Sequence, residues 1–282
     1  MTLLSPHISR LLLVFFILLN IVVSFSVQAQ IDISGEWAAV FHEDEDERRP
    51  GPEMVEYQGI PINESARRRA LAWSPTLLNL PEHQCKPHPS DYGSRGPSDT
   101  RWWKEVDSET QQLIAYHNRI RWQAPERTVW MDGREHPPEY APHTWQGFST
   151  GHWEGDVLVV RTTHLKQGWS RRNGVPRSDL AEFTEYFYRE GDYMTQVVIV
   201  NDPVYLTEPF IRTNNWKLDL RQQIAPYLCE YLTEVEMERG LVPHYLPGQN
   251  PFMGEHAERY NLPLEGVLGG AETQYPSFID ND

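Results

Sequence analysis

The sequence predicts a mostly β protein whose antiparallel strands form a meander that closes into a barrel. The tripeptide Glu-Gly-Asp occurs at 154–156 and again at 190–192, each time between runs rich in β-branched and aromatic residues. Gly-Asp between such runs predicts a tight hairpin, because glycine tolerates the positive φ that these turns need. The copies are far enough apart for two consecutive long hairpins, and a further hairpin signal, Asp132-Gly133, precedes them.

The segment before the hairpins is predicted to hold one strand, one short helix and long loops. Residues 31–37 form the opening strand, and residues 64–73 form a helix with Asn63 as its N-cap. Proline, glycine and charged residues dominate 42–64 and 79–100, which predicts loops there.

Alternating residues predict the strands of the barrel from residue 100 onward. The runs 100–106, 111–117 and 127–131 alternate in the manner of strands, and 119–122 either continues the second run or starts another strand. The two Glu-Gly-Asp hairpins follow at 147–163 and 183–200. These runs give about seven or eight strands with short connections. Such a sheet must protect its edges, and closure into a barrel does so.

The strand pattern ends at Asp202-Pro203. Residues 227–239 have the pattern of a short helix, and residues 243–282 are rich in proline, glycine and aromatic side chains, which predicts an extended tail that packs on the barrel. The chain is therefore divided into a signal peptide at 1–29, a single barrel domain with an N-terminal loop region at 30–242, and the tail.

The first residues have the pattern of a secretory signal. Arg10 precedes an apolar run that begins at Leu11, and Val27-Gln28-Ala29 places small residues before a cleavage site. An uncleaved membrane anchor is the alternative, since the apolar run is nearly long enough to span a bilayer. Ser24 and Ser26 interrupt the run and favour cleavage. The mature chain is expected to be secreted or periplasmic, without membrane contact.

The charge of the chain argues against two classes of partner. The formal net charge is −15. A strongly acidic surface repels nucleic acid and anionic membranes, so neither is expected to bind. The expected partner is a small-molecule ligand or substrate, and the oligomeric state stays open.

The sequence holds two cysteines, Cys85 and Cys229. In an oxidising compartment a single pair most simply forms a disulfide. The alternative is a metal site, because His83-x-Cys85-x-x-His88 offers three ligands close together. Structural zinc usually takes four ligands, and the disulfide is therefore predicted.

The sequence lacks a strong catalytic motif. It has no H-E-x-x-H, no P-loop and no glycine-rich dinucleotide fingerprint, and no cofactor is expected. Residues 147–151 have the letters of G-x-S-x-G, but a nucleophile elbow joins a strand to a helix, whereas a hairpin strand follows here. His136, Glu139 and His143 form a proline-stiffened loop, for which a His₂–carboxylate metal site and a solvent-facing loop are the alternatives, and no metal is assigned.

Glu185 is the best acid/base candidate. If Phe183 and Phe187 point inward, the alternation of a strand buries Glu185 between them. A buried carboxylate pairs with a cation or holds its proton near neutral pH. The candidate partners are Arg134, Arg161 and His164. A structural ion pair and a catalytic role are both open at this point.

Several segments resemble a family of secreted bacterial proteins. The resemblance is carried by W-x-G at 145–147, W-E-G-D-V-L-V-V at 153–160, T-T-H at 162–164 and R-N-G-V-P at 172–176. It covers most of the mature chain. It implies secretion and a lipocalin-type (calycin) barrel, and it carries over no catalytic residue.

The first functional hypothesis is a secreted barrel that binds a small, largely apolar molecule in an aromatic-lined cavity. The second is a cofactor-free isomerase, hydratase, cyclase or hydrolase in the same cavity, with Glu185 or His164 as general acid/base and Arg134 stabilising negative charge. A third is an assembly role in which the tail docks on a partner. The expected ligand-binding residues are Trp153, Trp169, Tyr186, Tyr188 and His136.

Overall fold

A computed structural model gives the architecture. The predicted signal segment lies outside the residues that it describes. Within the described part, no helix combines the length and apolar character needed to cross a bilayer. The described residues are 31–40, 53–57, 59–92, 98–121, 126–170, 173–231, 238 and 240–279.

The described residues form eleven strands and a few short helices. The strands are β1 (Gly35–Ala39), β2 (Thr100–Val106), β3 (Leu113–Ile120), β4 (Arg127–Trp130), β5 (Phe148–Glu154), β6 (Val157–Thr163), β7 (Gly168–Trp169), β8 (Pro176–Arg177), β9 (Glu182–Glu190), β10 (Tyr193–Asn201) and β11 (Phe210–Leu218). The helices are α1 (Glu64–Ala72), α2 (Pro81–Gln84), α3 (Glu255–Tyr260), α4 (Leu264–Val267) and α5 (Pro276–Ile279), with 3₁₀ turns at Pro75–Asn79 and Ala271–Gln274.

Nine of the strands form a closed barrel in the order β1-β11-β10-β9-β6-β5-β4-β3-β2, and β1 pairs with β2 to complete it. This is a calycin/lipocalin-like architecture, as predicted. The short strands β7 and β8 pair with each other outside the barrel sheet. Both Glu-Gly-Asp hairpins are confirmed: β5 pairs with β6 around Gly155 at φ +61°, and β9 pairs with β10 around Gly191 at φ +58°.

One pair of neighbouring strands is parallel. Val129 on β4 lies beside Ser149 on β5, and the two strands run in the same direction. The hairpin predicted at Asp132-Gly133 is therefore wrong, because parallel neighbours need a crossover connection rather than a tight turn. Residues 131–147, here called the crossover segment, make this connection and carry two histidines onto the outside of the barrel.

Side chains in alternating positions fill the barrel in three layers. On β9, Phe183, Glu185 and Phe187 all point inward, and each belongs to a different layer. The main core consists of Ile33, Trp37, Trp102, Tyr116, Val129, Leu158, Val160, Phe187, Met194 and Trp216. The rim core consists of Leu165, Ala181, Phe183, Val198 and Val200. Between them lies a polar layer of Arg127, Ser149, Thr162, Glu185, Gln196 and Asn214, which are all buried.

The chain before β2, the segments that precede β8 and β11, and the tail meet in a third cluster. Asn63 caps α1 as predicted, because its side chain accepts a hydrogen bond from the Ala66 amide at 3.0 Å. The amide of Tyr57 donates to the carbonyl of Val267 at 2.8 Å, which ties the N-terminal loop region to the tail. This cluster consists of Val55, Tyr57, Ile60, Ile62, Ala66, Ala70, Val175 and Tyr205, with Phe252 and Leu268 of the tail packed against it.

Of the C-terminal expectations, one changes, one falls largely outside the described residues and one is confirmed. The predicted helix at 227–239 has residues 227–231 and 238 described, which are not helical, while 232–237 and 239 lie outside the described residues. The tail packs through short helices rather than as a fully extended chain, because its aromatic and small residues allow single turns between the prolines. The predicted disulfide between Cys85 and Cys229 is present.

Candidate functional site

A groove of about 410 Å³ lies on the outer face of the barrel beside β6 and the start of β9. Thr162 on β6 and Phe183 on β9 face the barrel interior. The residues next to them, Arg161, Thr163 and Glu182, therefore point outward and line the groove. The crossover segment forms one wall and residues 179–182 form the other. We call this site the histidine groove, and its lining residues are His136, Pro137, Glu139, His143, Arg161, Thr163, His164, Asp179, Leu180, Ala181 and Glu182.

A directed chain of hydrogen bonds runs along the floor of the histidine groove. His164 Nε2 lies 3.0 Å from the Pro138 carbonyl oxygen, which only accepts, so Nε2 carries the proton. In neutral His164, Nδ1 then accepts from the Thr163 hydroxyl at 2.7 Å. The same hydroxyl oxygen accepts from His136 Nδ1 at 2.7 Å, and His136 Nε2 accepts from the Thr150 hydroxyl at 2.8 Å. One carbonyl therefore sets both histidine tautomers.

The charge state of His136 agrees with this chain. Burial lowers the pKa of His136 from its ordinary value, and the positive charge of Arg161 lowers it further, against the opposing effect of Glu182. A neutral imidazole is therefore favoured at neutral pH. A neutral ring holds one N–H and one lone pair, which is what its two threonine partners require.

His164 has an unusual backbone conformation. Its φ is +57°, in the left-handed region that β-strand residues and most other non-glycine residues avoid. This bend at the end of β6 brings its ring within 5.2 Å of the His143 ring, centroid to centroid. His143 Nδ1 donates to the Leu165 carbonyl at 2.9 Å, so its Nε2 is left as an acceptor in the neutral ring. Strained backbone of this kind concentrates at functional sites.

An exposed ion pair forms the rim of the histidine groove. Arg161 Nη2 lies 2.9 and 3.1 Å from the two carboxylate oxygens of Glu182, so the contact joins β6 to β9. The side chains are 53% and 48% exposed, and solvent screens a pair of this kind strongly. Either partner is therefore free to exchange this contact for one with a ligand at little cost.

Phe183 and Phe187 point inward, so Glu185 is buried with them, but its partner is Arg127 rather than Arg134, Arg161 or His164. Arg127 Nη1 donates to Glu185 Oε1 at 3.1 Å, and Arg127 Nη2 donates to Oε2. Arg127 was not among the partners predicted from the sequence. A signal for it exists, because Arg127 shares the inward face of its strand with Val129.

The polar layer satisfies both charges of this pair. Arg127 also donates to Ser149 at 3.1 Å and to Thr162 at 2.7 Å. Gln196 donates to Glu185 Oε1 at 2.7 Å. Each oxygen of the Glu185 carboxylate thus has a donor inside the barrel, and the side chain is 5% exposed. Of the two roles left open for Glu185, this geometry is that of a structural ion pair.

The other predicted site residues are dispersed. Arg134 lies outside the barrel, where it pairs with Asp132 at 2.5 Å and stacks on Trp130 with its Cζ 3.4 Å from the ring centroid. Trp153 points inward and packs against the main core. Tyr186 and Tyr188 point outward on β9, because inward and outward positions alternate along it. Trp169 lies on β7. Of the predicted set, the structure brings together His136 and His164, joined through Thr163.

The groove does not lie inside the barrel, where a hollow, aromatic-lined lumen was predicted. The indole and phenyl rings of the main core contact one another inside the barrel, as shown by Trp102 and Phe187, whose centroids are 5.1 Å apart. The reason is size: inward positions of neighbouring strands carry tryptophan, phenylalanine and methionine, which meet across the interior. The histidine groove lies outside this packing.

The metal alternative for the loop at 136–143 has no support in the described part of the chain, where no group of three or more His, Cys, Asp or Glu residues is arranged to hold a metal ion. Both ring nitrogens of His136 are occupied by threonine hydroxyls.

The structure defines the chain as a calycin/lipocalin-like barrel with a polar groove on its outer wall. No protein-family model matches the sequence, and neither a curated protein nor a solved structure matches it. The fold class is carried by the closed strand order, and the site is carried by the geometry of the histidine groove.

Proposed function

We propose that this chain is a secreted or periplasmic barrel protein that binds a small molecule in the histidine groove. The observation that carries the proposal is the Thr163 hydroxyl, which is held between two histidines at 2.7 Å on the floor of the groove. The disulfide and the signal-like leader support an oxidising compartment. The charge of −15 makes nucleic acid and anionic membranes unfavourable partners.

The size and lining of the groove favour a small molecule. Ligand sites commonly enclose about 300–1,000 Å³ and combine apolar walls with a few convergent polar groups. Here Pro137, Leu180 and Ala181 supply apolar surface, and the histidines supply donors and acceptors in fixed directions. The ligand that fits best has an apolar body and at least one polar group, which modifies the expectation of a largely apolar ligand in a central cavity.

The test is whether filling the groove prevents binding. Leu180 lines the groove and is 53% exposed, so Leu180→Trp fills the space without disturbing the buried core. Leu220 is 86% exposed after β11, and Leu220→Trp is the matched control. Native mass spectrometry of the chain purified from a periplasm should show a small molecule bound to the wild type and to the control but not to Leu180→Trp. A molecule retained by Leu180→Trp would place binding elsewhere and refute the proposal.

Acid–base catalysis in the same groove is the second candidate function. The Thr163 hydroxyl donates to His164 Nδ1 at 2.7 Å, which is the geometry of a hydroxyl beside its general base. Glu185 and Arg134 take no part in this version, since neither lies in the groove. Hydrolysis of p-nitrophenyl esters would support it if His164→Gln abolishes turnover while His152→Gln, on the outer face of β5, leaves it unchanged. Equal rates in the two variants would exclude this role for His164.

A further inference from the structure

A cluster of cationic and aromatic side chains continues the histidine groove. Lys86 Nζ lies 4.6 Å from the centroid of the Trp145 ring and 5.1 Å from that of Trp169. Lys166 Nζ lies 5.3 Å from the same Trp145 centroid. Cation–π contacts hold the two ammonium groups over one indole. Among the described residues, neither lysine forms an ion pair with a carboxylate within 4.0 Å.

The positive charges of Lys86 and Lys166 repel each other. Burial lowers the pKa of Lys86, and the charge of Lys166 lowers it further. Like charges placed together without a carboxylate are unfavourable unless an anion joins them. Glu82 is the acidic residue nearest in the chain to this cluster. Burial and the charge of Lys86 lower the pKa of His83, and Glu82 opposes that effect. The arrangement therefore favours an incoming negative charge.

Two buried polar nitrogens beside these lysines lack a hydrogen-bond partner. They are Trp73 Nε1 and His83 Nδ1. Both rings contact Trp169, at centroid distances of 6.3 and 5.8 Å. Trp73 is 8% exposed. Buried polar groups are nearly always paired in folded proteins, and an indole nitrogen can only donate, so the unpaired Trp73 N–H next to a cationic cluster indicates a place for an acceptor group.

The lysine cluster and the histidine groove are joined by one backbone contact. Thr144 and Leu165 form a parallel bridge. On one side of the bridge His143 and His164 lie side by side, and on the other side Trp145 and Lys166 do. Residues two positions apart along an extended chain are separated by about 7 Å. One small molecule is long enough to contact both.

We propose that Lys86 and Lys166 bind the anionic group, a carboxylate or a phosphate, of the small molecule whose apolar body lies in the histidine groove. This inference rests on the proposed function and adds the chemical class of the ligand. We call the lysine cluster, made of His83, Lys86, Trp145, Lys166 and Trp169, the anion seat.

The experiment measures the affinities of three probes by isothermal titration calorimetry at one fixed low ionic strength. Phenyl phosphate and benzoate are anionic, and benzyl alcohol is neutral. The variants are Lys86→Gln and Lys166→Gln. Lys217→Gln is the matched control, because Lys217 also lies over an aromatic ring, 5.6 Å from the Tyr193 centroid, but on the barrel wall at β11.

The wild type should bind at least one anionic probe about tenfold more tightly than benzyl alcohol, and each anion-seat variant should lose about tenfold in affinity for that anion. Affinity for benzyl alcohol should stay the same in both variants, and Lys217→Gln should behave as the wild type. A preference for phosphate over carboxylate, or the reverse, identifies the anionic group. Failure of both anions to bind, or equal affinities in the wild type and the lysine variants, overturns the proposal.

Leu180→Trp separates this proposal from the one on which it rests. If the lysine variants weaken anion binding while Leu180→Trp changes no affinity, the anion seat stands and the histidine groove is not the ligand site. If Leu180→Trp weakens binding of every probe while the lysine variants change nothing, the groove stands and the anion seat is refuted.

Discussion

Removing Arg127 from the polar layer should destabilise the barrel far more than removing the whole ion pair. Arg127→Met leaves the Glu185 carboxylate 5% exposed with Gln196 as its remaining partner at 2.7 Å. Breaking a buried ion pair by removing one partner costs about 3–5 kcal/mol, because the other charge is left uncompensated. Arg127→Met should therefore lower the free energy of unfolding by about that amount.

The double variant Arg127→Met/Glu185→Met should recover most of this loss. Replacing both charges with apolar side chains of similar volume is often neutral or stabilising, since neither desolvation penalty is then incurred. Phe183 and Phe187 flank Glu185 on the inward face of β9 and give the new side chains apolar neighbours. The hydroxyls of Ser149 and Thr162 still bond to each other, at 2.9 Å, after Arg127 is gone.

Urea unfolding of residues 30–282 with the disulfide oxidised measures these effects, with fluorescence and circular dichroism followed together to test two-state behaviour. Lys104→Met is a suitable control, because Lys104 pairs with Asp32 at 2.7 Å on the surface, where both side chains are more than a third exposed. Its loss should cost no more than about 1 kcal/mol. A double variant as unstable as Arg127→Met, or an Arg127→Met cost equal to that of the control, would refute the structural role of the pair.

Three further results are expected. Thr163→Val should cost about 1–3 kcal/mol in urea unfolding, because it removes the shared partner of two histidines, whereas Thr163→Ser should retain most of the stability. His136 has a folded-state pKa below 6.5, so the unfolded chain takes up its proton first. The stability that depends on neutral His136 is therefore present above pH 6.5 and lost as the pH falls through this value toward the folded-state pKa, and His136→Gln should show a smaller loss in thermal scans at stepped pH. Reduction of the Cys85–Cys229 disulfide, which closes a loop with a sequence separation of 144, should lower the free energy of unfolding by about 3–5 kcal/mol, and a Cys85→Ser/Cys229→Ser variant should no longer respond to reductant.

Local patterns were sufficient to predict the strands and their faces. Alternation placed Phe183, Glu185 and Phe187 on one face of their strand, and the structure shows that this face is the inward one. The turn signals at the Glu-Gly-Asp tripeptides depend on residues next to each other in the chain, and both hairpins are present. The Asn63 cap is local in the same way.

Features that depend on long-range register could not be predicted in the same way. Arg127 reaches Glu185 only because β4 runs parallel to β5 and β6 lies beside β9, a pairing that no neighbouring residues encode. Because β4 and β5 are parallel, Asp132-Gly133 does not close a hairpin but lies at the start of the crossover segment. The positive φ of His164 brings its ring beside that of His143. A positive φ is uncommon for any residue other than glycine, so the sequence did not predict this conformation.

A crystal structure of residues 30–282 with phenyl phosphate bound tests the central claim most directly. We expect ligand density on the outer wall between His136, His143 and Leu180, with the phosphate toward Lys86 and the Arg127–Glu185 pair undisturbed. Density inside the barrel, with the pair separated to admit the ligand, would contradict it.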